Sequence, residues 1–170
     1  MKKTKTYENY PAWIIILSNI FSIMIYIIGA LIIYKVGVVW LVLYLLFIGL
    51  LELRLLKGHC VNCYYYAKCC AFGKGKLSAL FFKKGDPKKF ILKKITWKDL
   101  IPDILVSAIP MVVGIIMLIM NFNWLLLILI LMLFLLTSAG NGFVRGSLAC
   151  KYCKQREIGC PAEKLFDKKK

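Results

Sequence analysis

Seven cysteines are the residues of this 170-residue chain best suited to chemistry, and six of them are patterned. Cys60, Cys63 and Cys70 spell C-x2-C-x6-C, and Cys150, Cys153 and Cys160 spell it again. The copies register at an offset of 90, which also aligns Lys74 with Lys164, while Cys69 has no counterpart. A two-residue spacer lets both thiolates of a C-x-x-C face one ion while backbone amides of the turn donate hydrogen bonds to sulfur. In a reducing compartment a patterned thiol set points to metal or redox chemistry rather than to disulfides. Cysteines acting only as small buried apolar groups have no reason to repeat a spacing. The candidate metal ligands are therefore Cys60, Cys63, Cys70, Cys150, Cys153 and Cys160, with Cys69 and His59 as further candidates. His59, the only histidine, abuts Cys60, but Ala149 stands at its place in the second copy, so a solvated interface histidine is an equal reading.

Zinc is the expected metal. Six thiolates at this spacing satisfy two tetrahedral ions by sharing sulfurs, and Cys60, Cys63, Cys150 and Cys153 alone make one four-thiolate site joining the copies. The doublet is similar to the binuclear zinc cluster of fungal transcription factors, where two such motifs with basic intervening residues hold two zinc ions through six cysteines. That resemblance covers residues 60–70 and 150–160, with residues 71–149 between the halves, so it implies shared zinc and carries over no DNA-binding role. An iron–sulfur cluster is the alternative, because Cys160-Pro161 is similar to the Cys-Pro that ends bacterial ferredoxin motifs. The ferredoxin spacing itself is missing, and three cysteines per motif leave a four-iron cluster one ligand short unless Cys69, His59 or a substrate completes it. Tyr64, Tyr65 and Tyr66 would screen a cluster from water, or simply mark a headgroup boundary.

The elements that must position these motifs are apolar. Hydrophobic residues make up 61% of the chain, more than a soluble core of this size can hide. Residues 13–34 carry no charge, and a bilayer core of about 30 Å takes about 20 helical residues. Such a run is long for a signal peptide. A tight turn at Tyr34-Lys35-Val36-Gly37 leads to a second span at about 36–53. A third span at about 103–120, with Pro110 inside it as an expected kink, and a fourth at about 122–144 flank a turn at Asn121 and Asn123. Gly49, Gly140 and Asn141 suit close helix packing. Upstream of the cysteines an offset of 91 pairs Glu8 with Asp99, Pro11 with Pro102, Gly49 with Gly140 and Arg54 with Arg145. The chain reads as an all-α integral membrane protein: four transmembrane helices as two tandem parallel hairpin repeats, residues 1–98 and 99–170, each followed by a cytoplasmic C-x2-C-x6-C loop.

Charge sets the orientation. The 24 Lys and Arg outnumber the 8 Asp and Glu, and all but Lys35 fall before the first span, from Arg54 to Lys98, or from Arg145 onward. Both termini and the central loop are thus expected in the cytoplasm of a multi-pass cell-membrane protein, and an axis along the membrane normal brings the two motifs together. Between residues 77 and 98, Leu80, Phe81, Phe82, Phe90 and Trp97 are interleaved with Lys83, Lys84, Lys88, Lys89, Lys93 and Lys94, which suits anionic headgroups better than nucleic acid. The chain has no nucleophile beside a histidine base, no phosphate loop and no charge at mid-span, so neither a familiar enzyme nor a transporter is indicated. The expected function is a structural cytoplasmic metal site, zinc, shared by two repeats and forming a docking surface for a cytoplasmic partner or for acidic lipid. The alternative is an iron–sulfur or thiol redox protein passing electrons at the cytoplasmic face.

Overall fold

A computed structural model describes residues 6–92 and 96–161, without the side chain of Trp97. The leader lysines, Lys93, Lys94 and Ile95 of the basic segment, Lys164 and the basic tail lie outside the described residues. The described chain is helical, with α1 at Ala12–Tyr34, α2 at Val38–Gly58, α3 at Lys74–Phe81, α4 at Pro87–Leu92, α5 at Trp97–Met120 and α6 at Trp124–Leu135. From Leu135 the helical path continues through π-type stretches on either side of α7 (Asn141–Phe143) to Ala149, and α8 (Lys154–Gly159) follows the second motif. Among the described residues four helices are long and apolar enough to cross a membrane.

Local chemistry explains the breaks. The amide of Lys35 turns back to the carbonyls of Ile32 and Ile33, and Gly37 at φ 152° and ψ 157° opens α2 in a region reserved for glycine. Asn123 caps α6, its side-chain oxygen accepting from the amide of Leu125 at 2.9 Å. Thr96 and Asp99 form a capping box at the start of α5, the Thr96 amide donating to the Asp99 carboxylate at 2.9 Å. That helix runs through Pro110, whose ring is buried beside Gly29.

α1 packs against α2, α5 and α6. Ile28 and Ile32 meet Leu126, Ile130 and Leu133 in one core, and Gly114 lets Ile130 approach to where a Cβ would stand. Ile33, Tyr44, Ile48 and Val106 form a second, in which the Tyr44 hydroxyl donates to the Val106 carbonyl at 2.7 Å. Outward faces such as those of Trp40, Leu46 and Ile119 are exposed and apolar, as lipid requires. Of the residues read as packing notches, Gly140 receives the ring of Phe21, Gly49 has nothing within 4 Å, and Asn141 accepts from Arg145 Nε within its own helix at 2.9 Å. α2 runs on to Gly58, past the span read at about 36–53, because Glu52 is paired at the edge of the bundle: the Tyr26 hydroxyl donates to it at 2.7 Å and Lys74 Nζ reaches it at 2.7 Å.

Candidate metal centre

Both cysteine motifs follow a membrane-spanning helical path and open with the same turn. α2 ends at Gly58, and Cys60–Asn62 makes one 3₁₀ turn closed by the Cys63 amide on the Cys60 carbonyl at 3.3 Å. After Ala149, Cys150–Tyr152 makes the same turn, closed by the Cys153 amide on the Cys150 carbonyl at 3.3 Å. Cys63 and Cys153 share φ −80°, and each carbonyl then accepts from the amide three residues on, Tyr66 at 3.0 Å and Arg156 at 3.1 Å.

The sulfurs face backbone donors. The amide of Tyr65 donates to Cys63, and the amides of Gln155 and Arg156 donate to Cys153. The Gly75 amide donates to Cys70 Sγ at 3.3 Å. Burial pushes the Cys63 thiol up to about 11, against the pull of the Tyr65 amide, with Cys153, Cys70 and Cys160 near enough to add to the rise. Burial likewise raises Cys153, against the two amides aimed at it. Left alone at neutral pH these groups are thiols, and a cation placed among them would reverse that preference.

A seam joins the motifs. Gln155 is buried, and its Oε1 accepts from the Tyr64 amide at 2.7 Å while the Cys63 thiol lies 3.7 Å away in donor geometry. The buried Tyr65 donates its hydroxyl to the Tyr7 carbonyl and accepts from the Lys154 amide at 3.0 Å. The segment before α1 threads between the two loops. The Tyr7 amide donates to Tyr152 at 3.0 Å, the Tyr10 amide to Cys69 at 2.9 Å, and the Tyr10 hydroxyl to Ala149. Asn9 accepts from the Cys69 amide at 3.1 Å, and Glu8 pairs with Lys154 at 2.7 Å. Tyrosine rings line this strap in sequence, Tyr152 to Tyr7 to Tyr10 to Tyr65 to Tyr64, with centroids 5.2 to 5.5 Å apart. Cys63, Cys70 and Cys153 pack against the buried core of Tyr10, Ile14, Tyr65, Ala71 and Ala149.

The expected ligands thus share one neighbourhood without forming a closed ligand set. Among the described residues no three side chains of His, Cys, Asp and Glu come together as a group that would hold one metal ion. Cys150 is exposed and the other six cysteines are partly buried. His59 turns edge-on to Phe90, centroids 6.4 Å apart, and the backbone of Cys69 is held by the strap. Sequence reasoning missed Tyr7, Tyr10 and Gln155. Tyr-Glu-Asn-Tyr-Pro at residues 7–11, aromatic and free of lysine in a leader otherwise rich in it, was the available signal for the first two. Gln155 carries none. No family model matches the chain, and no curated protein and no solved structure matches it.

Proposed function

We propose that the chain is a multi-pass membrane protein of two parallel hairpin repeats, whose cysteine motifs make one shared metal site, zinc, on the cytoplasmic face. The site is structural, with Cys60, Cys63, Cys70, Cys150, Cys153 and Cys160 as its ligands, and the loops that carry it form a docking surface for a cytoplasmic partner. The observation that carries the reading is the seam at Gln155, which bonds the backbone of one motif while lying on the thiol of that motif's Cys63. Equal turns with amides directed at Cys63 and Cys153 support it, because such donors stabilise thiolate charge once an ion is present. A tetrahedral zinc site would take four such thiolates with sulfur at about 2.3 Å from the ion, which requires the thiols to move together from where they stand. The positions of the basic residues support cytoplasmic loops.

Metal analysis of protein purified without oxygen tests this, applied to wild type and to Cys60→Ser, Cys153→Ser and Cys69→Ser. A shared site loses metal throughout in either of the first two variants and keeps it in the third. A clean halving in each of the first two would leave two separate centres, and undiminished metal in both would end the metal reading. Colourless protein containing zinc is expected, whereas visible charge-transfer absorption with iron and sulfide would transfer the site to the redox reading.

A further inference from the structure

α3 and α4 present a face that no other described residue covers. Leu80 is 79% exposed, Phe81 68% and Leu92 78%. Around them Lys76, Lys83, Lys84, Lys88 and Lys89 are exposed with Asp86 as the lone acid, five positive charges less one negative, or +4. The opposite face is firmly held. Gly75 lies against the carbonyls of Tyr65 and Lys68, and Ser78 is buried. The Tyr66 hydroxyl donates to the Phe82 carbonyl at 2.9 Å, the Gly85 amide donates to Val61 at 3.0 Å, and Phe90 is buried on His59.

The depth of this body follows from its contacts with the spans. Asn19 Nδ2 donates to the Phe72 carbonyl at 3.3 Å, and Lys74 pairs with Glu52. Asn19 is seven residues into α1, about 10 Å along the axis, and Glu52 is six residues before the end of α2, about 9 Å. α3 therefore starts below the ends of both helices, beside the bundle. At the far end Leu92 is five residues from Trp97, a reach of at most about 17 Å to the start of the next span. The start of α3 is pinned at that depth, and Gly85 and Phe90 meet Val61 and His59 just past the end of α2, so the segment lies at headgroup level rather than out in the solvent.

We infer that α3 and α4 form an anionic-lipid site in which Leu80, Phe81 and Leu92 enter the interface of the protein's own membrane and the five lysines bind acidic headgroups. The inference rests on the spans and stands without the metal reading. Because the same body backs the first cysteine motif through Gly75 and Val61, lipid contact sets where that motif stands above the bilayer.

Hydrogen exchange of the full-length protein in nanodiscs tests it, with phosphatidylcholine alone or mixed with phosphatidylglycerol. Amides of residues 74–92 should exchange about tenfold or more slowly in the anionic discs, since each headgroup-bound lysine strengthens the interaction several-fold. The spans should not change. Replacing Lys83, Lys84, Lys88 and Lys89 by Gln should abolish the difference between discs, and Leu80→Ser with Phe81→Ser should lower protection in both. Equal exchange in the two discs, or lipid protection that survives loss of the four lysines, would overturn the inference. So would an RNA oligonucleotide that protects these amides in neutral discs more strongly than anionic lipid does, since the patch would then be a nucleic-acid surface.

Discussion

Tyr65→Phe is the substitution that separates a seam from a mere contact. The ring stays, so its packing on Tyr10 and Tyr64 stays with it and no cavity opens. What goes is one hydroxyl with a partner on either side, the Tyr7 carbonyl and the Lys154 amide at 3.0 Å. Burial pushes that hydroxyl up to about 12, so it is a neutral donor at physiological pH and its loss changes no charge. Each stranded group costs about 1–3 kcal/mol where water cannot replace the partner, and partial access at the strap brings the pair to about 2–4 kcal/mol. At about 1.4 kcal/mol per factor of ten, the seam should open about 30- to 1000-fold more often. The assay is alkylation of metal-stripped protein in nanodiscs by an impermeant maleimide, read cysteine by cysteine by mass spectrometry. Cys63 and Cys153 should react faster by that factor, while Cys150, already exposed, should keep its rate. Unchanged rates at Cys63 and Cys153, or a rise at Cys150 as large as theirs, would refute the claim that Tyr65 closes the two loops on each other.

Two further outcomes follow from charge and titration. With native cysteines replaced, a single cysteine at Lys35 should be labelled from outside intact cells and one at Lys168 should not; the reverse result would invert the proposed orientation. The Cys63 thiol, raised to about 11, favours the folded state most fully below the unfolded thiol value and loses that contribution as pH climbs toward its folded value. Metal-free protein should therefore lose up to about 2–3 kcal/mol between about pH 8.5 and 11. Thermal melts of wild type and Cys63→Ala across that range check this, and an equal slope in the two proteins would show that Cys63 is not the group responsible.

The membrane bundle was legible because lipid leaves a chain few choices. Residues 13–34 had to be a helix, and Gly37 and Asn123 mark its hairpins through chemistry confined to one or two positions. That α2 runs on past the span read at about 36–53 has a non-local reason, since Glu52 looks like a terminus until Tyr26 and Lys74 are seen around it. The cysteine turns were legible as a spacing. Their seam was not, because its partners lie 58 to 146 residues apart, from Tyr65 with Tyr7 to Lys154 with Glu8. This division bears on how a shared site would work. The strap and Gln155 dock the two loops through tyrosine, amide and carbonyl groups that owe nothing to the thiols' protonation. A metal entering there meets loops already joined, so its binding free energy goes first into deprotonating raised thiols and turning their side chains, not into bringing the repeats together. Chelation should then release the thiols and leave the Tyr10 and Tyr65 contacts in place.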